Sequence, residues 1–229
     1  MQIYDLGVAT LWPYRKLIDT VLELSEVQSG DTVIDAGCGT GNLIARIAVG
    51  MECGKVIGLD WQPVALDFAR AKMLQGRREV RSEFLTCDLD NEHWSAALPL
   101  ADVVFSVNAL YALGDPGGFL RIARGVLKPE GRLVLVNPFQ PDLDAIQCSH
   151  DIWLSEEATQ EDRVKYAEVA WATKVARAFN DVIAEAVGRK QLHFWQQERL
   201  ADELNAAGFT VQSMHQVYAG TSLLAVALK

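Results

Sequence analysis

The stretch Val33-Ile34-Asp35-Ala36-Gly37-Cys38-Gly39-Thr40-Gly41-Asn42 decides the fold, because an apolar strand runs into three glycines and then into a helix. Glycine adopts positive φ angles at no steric cost, and its bare backbone lets a ligand approach closely. Asp60 ends the next predicted strand about twenty residues further on, where a carboxylate accepts hydrogen bonds from both hydroxyls of a ribose. A tight strand-to-helix connection is the alternative for the glycines alone, but together with Asp60 they indicate a nucleotide-binding sheet.

Strand and helix patterns alternate from Asp31 to Asn137, which predicts an α/β fold. The strand candidates are almost continuously hydrophobic, as parallel strands covered on both faces are. They comprise residues 32–36, 55–60, 83–87, 102–107 and 132–137. The spacing of apolar residues predicts helices at 64–74 and 118–127, and the turn residues 128–131 predict a stop before the fifth strand.

The end of the chain predicts a helix at 196–207, terminated by Gly208, and two strands at 210–218 and 222–228 joined as an antiparallel hairpin. We therefore expect a doubly wound, Rossmann-like sheet of seven strands, mostly parallel with a C-terminal antiparallel hairpin. The length of 229 residues favours a single domain. Its expected parts are an N-terminal cap (1–28, with a helix at 15–24), a cofactor-binding core (29–139), a helical insertion or lid (140–194), and a closing helix and hairpin (195–229).

The composition narrows the possible partners and compartments. Lys and Arg total 21 against 30 Asp and Glu, and the net charge of −9 argues against a nucleic-acid partner. Half of the residues are hydrophobic, which excludes intrinsic disorder. Neither a signal peptide nor a membrane-spanning run is evident, and the four cysteines form no C-x-x-C pair or Cys/His cluster. We expect a cytoplasmic protein without stable membrane insertion, a disulfide framework or a metal site.

The spacing of the glycines discriminates between nucleotide cofactors. It is G-x-G-x-G, whereas a dinucleotide is held by G-x-G-x-x-G, which brings a helix N-terminus onto the pyrophosphate. Asp88 at the end of the third predicted strand is placed to accept from the exocyclic amine of an adenine, with the backbone of Leu89 at the ring edge. An acidic crevice suits a cofactor that has an adenosine, no phosphate and a positive centre. These features favour S-adenosylmethionine.

The sequence resembles the class I S-adenosylmethionine-dependent methyltransferases from about residue 29 to residue 137, through DAGCGTGN, GLDWQP, CDL, ADVVFSVNALYAL and LKPEGRLVLVNP. It is most similar to the small-molecule group that includes the quinone-biosynthesis and bacterial phospholipid N-methyltransferases. The resemblance implies that Asp35 lies near the cofactor's ammonium group and that Asp60 holds its ribose. Trp61 would cover the adenine, with a core position as the alternative, and Asn108 would face the methionine moiety, with a structural cap as the alternative. The implied cofactor-binding residues are Asp35, Gly37, Cys38, Gly39, Gly41, Asn42, Asp60, Trp61, Asp88, Leu89, Asn108 and Ala109.

Methyl transfer from a sulfonium needs an aligned acceptor and the exclusion of water rather than a nucleophilic residue. A phenol or an acidic carbon benefits from a general base. His150 follows the fifth predicted strand and His193 closes the insertion, so these two are the candidate bases, with structural roles as the alternative. Tyr14, Tyr111 and Phe139 are expected to line a pocket for a flat or apolar acceptor, with a place in the core as the alternative.

The expected function is methyl transfer to an O, N or C atom of a small aromatic or apolar metabolite. A nicotinamide oxidoreductase, a phospholipid N-methyltransferase and a non-catalytic S-adenosylmethionine-binding regulatory protein are the alternatives. The long predicted helix at 159–187 is either a lid or a dimer face, because Trp171, Val175 and Phe179 form an apolar stripe along it. A homodimer is therefore possible.

Overall fold

A seven-stranded sheet organises the computed structural model, which describes residues 2–50, 53–75, 81–187 and 192–229. The strand order is β3-β2-β1-β4-β5-β7-β6. The strands are β1 (Thr32–Ala36), β2 (Lys55–Asp60), β3 (Arg81–Thr86), β4 (Ala101–Val107), β5 (Leu127–Pro138), β6 (Thr210–Val217) and β7 (Ser222–Leu228). Strands β1 to β5 pair in parallel, and β7 pairs antiparallel with both β5 and β6. The predicted fold class is confirmed.

The helices of the described chain are α1 (Gln2–Ala9), α2 (Trp12–Ser25), α3 (Asn42–Gly50), α4 (Pro63–Gln75), α5 (Pro116–Val126), α6 (Leu143–Glu156), α7 (Gln160–Val187) and α8 (Gln197–Ala206). The N-terminal part holds two helices where the sequence predicted one. Pro13 lies in the first turn of α2, a position that tolerates proline because no intrahelical donor is lost there. The division of the chain into four functional parts stays a prediction.

Alternate residues along each central strand enter two different hydrophobic clusters, so the sheet is covered on both faces. Ile34 and Val104 belong to the cluster that includes Phe119 of α5 and Leu200 of α8. The opposite cluster contains Leu17 of α2, Ile44 of α3 and Leu66 of α4. This double covering explains why the strands are hydrophobic without alternation.

The strand order reverses between β1 and β4. Strands β2 and β3 lie on one side of β1, and β4 and β5 lie on its other side. In open α/β sheets the crevice outside the carboxyl ends at such a point is the usual ligand site. The glycine loop follows β1 and Asn108 follows β4, so both lie at this crevice.

The sequence predicted that residues 128–131 separate α5 from β5, and this prediction is wrong. Strand β5 begins at Leu127, directly after α5, and its pairing with β4 jumps from Ala101–Leu127 to Val103–Arg132. Glu130 takes a φ of 63°, which absorbs the extra residues as a local irregularity. The turn residues therefore bend the strand instead of ending the helix.

Two helices, α6 and α7, form the insertion after β5. Asp142 caps α6 by accepting hydrogen bonds from the backbone N–H groups of Asp144 and Ala145, both at 2.9 Å. Helix α7 packs along α1 at the N-terminus. Among the described helices, none combines the length and the apolar character that a membrane crossing needs.

Candidate cofactor and acceptor site

The glycine loop has the conformation that its sequence predicts. Gly37, Gly39 and Gly41 have φ angles of 86°, 53° and 76°, which side chains with a β-carbon rarely adopt. The backbone N–H groups of Gly37 and Cys38 both donate to the carbonyl of Leu59, at 2.8 and 2.9 Å, and tie the loop to β2. The loop is therefore held in place before any ligand enters.

The first and second glycines serve different purposes. A β-carbon on Gly37 would lie 2.5 Å from Cβ of Ala109 and 3.9 Å from Cδ1 of Leu89, so this glycine permits close packing of three segments. A β-carbon on Gly39 would have nothing within 4 Å. Gly39 thus presents bare backbone to open space, which is the surface that a cofactor needs.

Asp60 closes β2 and holds the loop by its side chain. One carboxylate oxygen accepts the N–H of Gly39 and the other accepts the N–H of Gln62, each at 2.9 Å. Each oxygen retains a second lone pair, so the carboxylate still has acceptor capacity for ribose hydroxyls. Trp61 is 68% exposed, which excludes the core alternative and leaves its indole accessible directly after Asp60.

Asp35 carries the electrostatic signal that bears on the ligand's charge. Its side chain is buried, and desolvation together with the nearby Asp60 carboxylate raises its pKa to about 7. Within the described part of the chain, neither a hydrogen bond nor a cation offsets this shift. Two neighbouring carboxyls without a cation favour a positively charged ligand, and this fits the ammonium and sulfonium groups of S-adenosylmethionine.

Cys38 belongs to the core. A β-carbon on Gly58 would lie 2.9 Å from its Sγ and 2.7 Å from Cδ1 of Ile44, so the thiol packs under the loop. Burial and the carboxylates of Asp35 and Asp60 raise the pKa of Cys38, which keeps it a neutral thiol. The Cys38 side chain is therefore part of the core, and its predicted contact with the cofactor stays a prediction.

A network of polar side chains supports the loop from outside, and the sequence did not reveal it. Nζ of Lys72 on α4 donates to Oγ1 of Thr40 at 3.0 Å and to Oδ1 of Asn42 at 2.6 Å. Nδ2 of Asn42 donates to the hydroxyl of Tyr14 at 3.4 Å. The predicted residues Asn42 and Tyr14 thus connect the loop to helix α2.

The adenine side of the site is formed after β3. Asp88 is exposed and accepts the N–H of Asp90 at 3.0 Å, which fixes its carboxylate in a turn. Leu89 is 7% exposed and lies beside the Gly37 position. Both residues therefore keep the places that the sequence predicted, and their contacts with the adenine remain predictions.

Asn108 directly follows β4 and has a strained backbone conformation. Its φ of 54° is left-handed, a region that asparagine tolerates better than most residues. Its backbone N–H donates to the carbonyl of Val136 at 2.9 Å, while its side-chain Oδ1 is buried without a hydrogen-bond partner in the described chain. Strain of this kind concentrates at ligand sites. The cap alternative is not supported, because Oδ1 accepts from no described backbone group.

The carboxyl ends of β4 and β5 are crossed by residues 192–196, here called the crossing segment. His193 donates its backbone N–H to the carbonyl of Tyr111 at 2.8 Å, and its own carbonyl accepts from Nδ2 of Asn137 at 2.9 Å. The ring of Phe194 stacks on Tyr111 with centroids 5.7 Å apart. The structure therefore brings the predicted residues Tyr111 and His193 together and adds Asn137 and Phe194.

The structure does not support the prediction that Phe139 lines the acceptor pocket. It is 8% exposed and belongs to the hydrophobic cluster on the α5 and α8 face. Its backbone N–H donates to the carbonyl of Thr221 at 3.1 Å, which ties the end of β5 to the residue before β7. Tyr14 lies instead in a groove of about 810 Å³ between α2 and α3, together with Trp12, Trp153 and Asn42.

His150 is a second correction, because the structure does not favour it as a base. The imidazole is fully buried in α6, and its Nδ1 accepts the backbone N–H of Trp12 at 3.0 Å. Its ring contacts those of Trp153 and Tyr166, with centroids 5.7 and 4.3 Å away. Burial lowers its pKa. A histidine with this environment joins α6 to α2 and is closed to a small acceptor.

The G-x-G-x-G loop at the sheet crevice, with the carboxyls of Asp35 and Asp60 beside it, is the arrangement that the sequence led us to expect of a class I S-adenosylmethionine-dependent methyltransferase. A family model described as a methyltransferase domain matches residues 27–208, and the chain therefore belongs to this family. S-adenosylmethionine is accordingly its cofactor.

Curated relatives include the demethylmenaquinone methyltransferase of Shouchella clausii, which is 27% identical over 188 residues, covering 77% of this chain and 76% of that protein. The ubiquinone/menaquinone biosynthesis C-methyltransferase UbiE of Klebsiella pneumoniae is 27% identical over 156 residues, covering 66% of this chain and 58% of that protein. The chain thus spans less than two thirds of the length of the Klebsiella relative.

A solved structure with the same fold is the N-methyltransferase NodS of Bradyrhizobium japonicum in complex with S-adenosyl-L-homocysteine. The TM-score is 0.61 at 15% identity, covering 95% of this chain and 88% of that chain. At this identity the similarity concerns the fold alone.

Proposed function

We propose that this chain transfers the methyl group of S-adenosylmethionine to an O, N or C atom of a small aromatic or apolar metabolite. The observation that carries the proposal is the pair Asp35 and Asp60, since two carboxyls at the carboxyl ends of β1 and β2 flank a bare glycine loop. One carboxyl suits a ribose and the other suits a cation, and S-adenosylmethionine carries both groups.

In this proposal the residues of the chain bind the cofactor and orient it. Asp60 would hold the ribose, Asp88 and Leu89 the adenine, and Asp35 with Asn108 the ammonium group. Bound S-adenosylmethionine supplies a methyl group that its sulfonium already activates. The remaining task of the protein is to align the acceptor and to exclude water from the crevice.

The acceptor pocket that we propose lies under the crossing segment, beside Tyr111 and Phe194. The stacked rings offer a flat apolar wall at the carboxyl end of β4, which supports an aromatic or apolar acceptor. The relationship to quinone methyltransferases, whose names denote ring substrates, supports the same class at low identity. His193 stays the candidate base, because its backbone is fixed between Tyr111 and Asn137.

We further propose self-association through α7. Trp171 and Val175 are 51% and 45% exposed, so this half of the predicted stripe lacks a cover within the described chain. The side chain of Phe179, the third residue of the stripe, lies outside the described residues. A second copy of the chain would cover the exposed indole.

Calorimetric titration of the purified protein with S-adenosylhomocysteine, and in parallel with NADH, tests the cofactor before an acceptor must be chosen. We expect micromolar binding of S-adenosylhomocysteine and none of NADH. Binding of NADH alone would overturn the proposal. Screening of small aromatic acceptors with S-adenosylmethionine follows, and tight cofactor binding with no methylated product across phenols, amines and quinols would favour the non-catalytic alternative.

A further inference from the structure

We infer that Asn137 binds the methyl acceptor, and that this acceptor presents an N–H or O–H group to its Oδ1 atom. The inference rests on the proposed function and narrows its acceptor class to compounds with a hydrogen-bond donor. The stretch LKPEGRLVLVNP contains this residue, but the sequence assigned it no role, since an asparagine near the end of an apolar strand is also a common way to end it.

The orientation of the Asn137 amide follows from its own hydrogen bonds. Nδ2 donates to the carbonyl of Pro138 at 3.1 Å and to that of His193 at 2.9 Å. Both are acceptors, so the nitrogen must face them and the oxygen must face away. The side chain is fully buried, and Oδ1 has no hydrogen-bond partner in the described chain.

A buried amide oxygen without a donor is costly, because it has lost water and gained nothing in return. Two further oxygens in the same condition lie nearby in the sheet: Oγ of Ser106 on β4 and Oδ1 of Asn108 directly after it. Asn108 adjoins β5, since its N–H donates to the carbonyl of Val136. Three buried oxygens without partners, two amide oxygens and one hydroxyl, therefore lie towards the carboxyl ends of β4 and β5.

The position of Asn137 connects it to the acceptor pocket. Its amide holds the carbonyl of His193, whose N–H is bonded to the carbonyl of Tyr111. Tyr111 stacks on Phe194. Two hydrogen bonds and this ring contact therefore connect the amide to the proposed aromatic wall. Asn108 is assigned to the ammonium group of the cofactor, which leaves Asn137 for the acceptor.

The chemistry selects a donor. An amide oxygen only accepts hydrogen bonds, so a phenol, a hydroquinone, an aniline or an indole N–H satisfies it, whereas an ether, a tertiary amine or a quinone does not. A site built to bond a donor discriminates strongly against an analogue that lacks it, because the protein group is then left unpaired. We therefore expect a preference of at least about 10-fold for the donor-bearing compound.

The experiment compares matched pairs on protein saturated with S-adenosylhomocysteine: hydroquinone with 1,4-dimethoxybenzene, aniline with N,N-dimethylaniline, and indole with N-methylindole. Dissociation constants come from calorimetry. In the wild type at least one donor-bearing compound should bind about 10-fold more tightly than its partner. The Asn137→Ala variant should reduce that preference to under about twofold while S-adenosylhomocysteine affinity is kept.

Two further variants separate recognition from folding. Asn137→Asp keeps an oxygen in the Oδ1 position and should retain the preference, whereas a residue that only positions the crossing segment would lose it in both variants. Asn205→Ala, an exposed asparagine on α8, is the matched control and should behave as the wild type.

Three results would overturn the inference. The first is a preference that survives Asn137→Ala, and the second is a preference that is lost in Asn137→Asp as well as in Asn137→Ala. The third is the absence of tighter binding by any donor-bearing compound to the loaded wild type. Failure of S-adenosylhomocysteine itself to bind would instead refute the proposed function, and the inference with it.

Discussion

Gly37 and Ala109 approach so closely that a β-carbon on Gly37 would lie 2.5 Å from Cβ of Ala109. The contact joins the loop after β1 to the segment after β4, the two strands at which the sheet order reverses. It brings together the backbone of two segments that we predict to face the methionine moiety of the cofactor. The cofactor site therefore depends on a packing contact that has no room for one additional methyl group.

The two glycines of this loop should respond differently to alanine. Gly37→Ala combines left-handed strain with a steric clash and should lower the free energy of unfolding by about 2–5 kcal/mol. Gly39→Ala has only the backbone strain, about 1–2 kcal/mol, but places a methyl group in the proposed cofactor surface. Urea unfolding and S-adenosylhomocysteine titration measure both effects. Equal losses of stability would contradict the division of roles.

Replacement of Asp60 should weaken the cofactor without unfolding the protein. Asp60→Ala removes charge-assisted hydrogen bonds worth about 1.5–3 kcal/mol, so the dissociation constant of S-adenosylhomocysteine should rise about 10- to 100-fold. Asp67→Ala on the exposed side of α4 is the matched control and should leave the affinity unchanged. An unchanged affinity in a folded Asp60→Ala protein would refute the ribose assignment.

Asp35 should make stability depend on pH. Because its folded-state pKa of about 7 exceeds the ordinary value of 3.8, its contribution to stability is complete below pH 3.8 and is lost as the pH rises through 7. The loss over this window is at most about 4 kcal/mol. Asp35→Asn should flatten the fall in the free energy of unfolding between pH 4 and pH 7, relative to the wild type.

The same carboxyl should couple cofactor binding to a proton. The ammonium group of S-adenosylhomocysteine binds the ionised form of Asp35, so affinity for this ligand should rise with pH up to about pH 7 and then level off. Titrations in buffers of different ionisation enthalpy measure the released proton. If Asp35→Asn showed the same pH dependence as the wild type, another group would be responsible.

Lys72 should act on the cofactor through the loop. Lys72→Met removes the bonds to Thr40 and Asn42, and we expect S-adenosylhomocysteine affinity to fall about 5- to 10-fold, an effect of about 1 kcal/mol. Lys72→Arg should restore part of it. Lys165→Met, in which an exposed ion pair with Glu161 is removed, is the control that should change nothing. If all three variants bound S-adenosylhomocysteine with the same affinity, Lys72 would have no role in supporting the cofactor site.

Self-association should depend on the exposed face of α7. Light scattering after size exclusion should show a dimer for the wild type and a monomer for Trp171→Glu combined with Val175→Glu, because charges replace the apolar contact. Leu100→Glu, at an equally exposed position outside α7, should remain a dimer. If the wild type is a monomer at micromolar concentration, the proposal of self-association is refuted.

The order of strands and helices from β1 to β5 could be predicted because each element carries its own local signal. Apolar runs, glycine turns and capping residues act within a few neighbouring residues. The positions of Asp35 and Asp60 followed from the same rule, since each lies at the carboxyl end of a strand, and their contacts with the cofactor stay predictions. The prediction for residues 128–131 was wrong because turn residues also occur where a strand bends. Only the pairing with β4 decides between a bend within the strand and a turn before it.

The sequence by itself determined the fold class, the glycine loop and the cofactor that suits it, because these depend on short-range conformation and on a few polar groups at strand ends. Only the tertiary structure decided which aromatic and polar side chains share a space. Phe139 and His150 follow β5 as the sequence predicted, but their burial assigns them to packing. Lys72 and Asn137 gained roles from partners 30 to 56 residues away in the chain, and such contacts depend on how the helices and the crossing segment pack around the sheet.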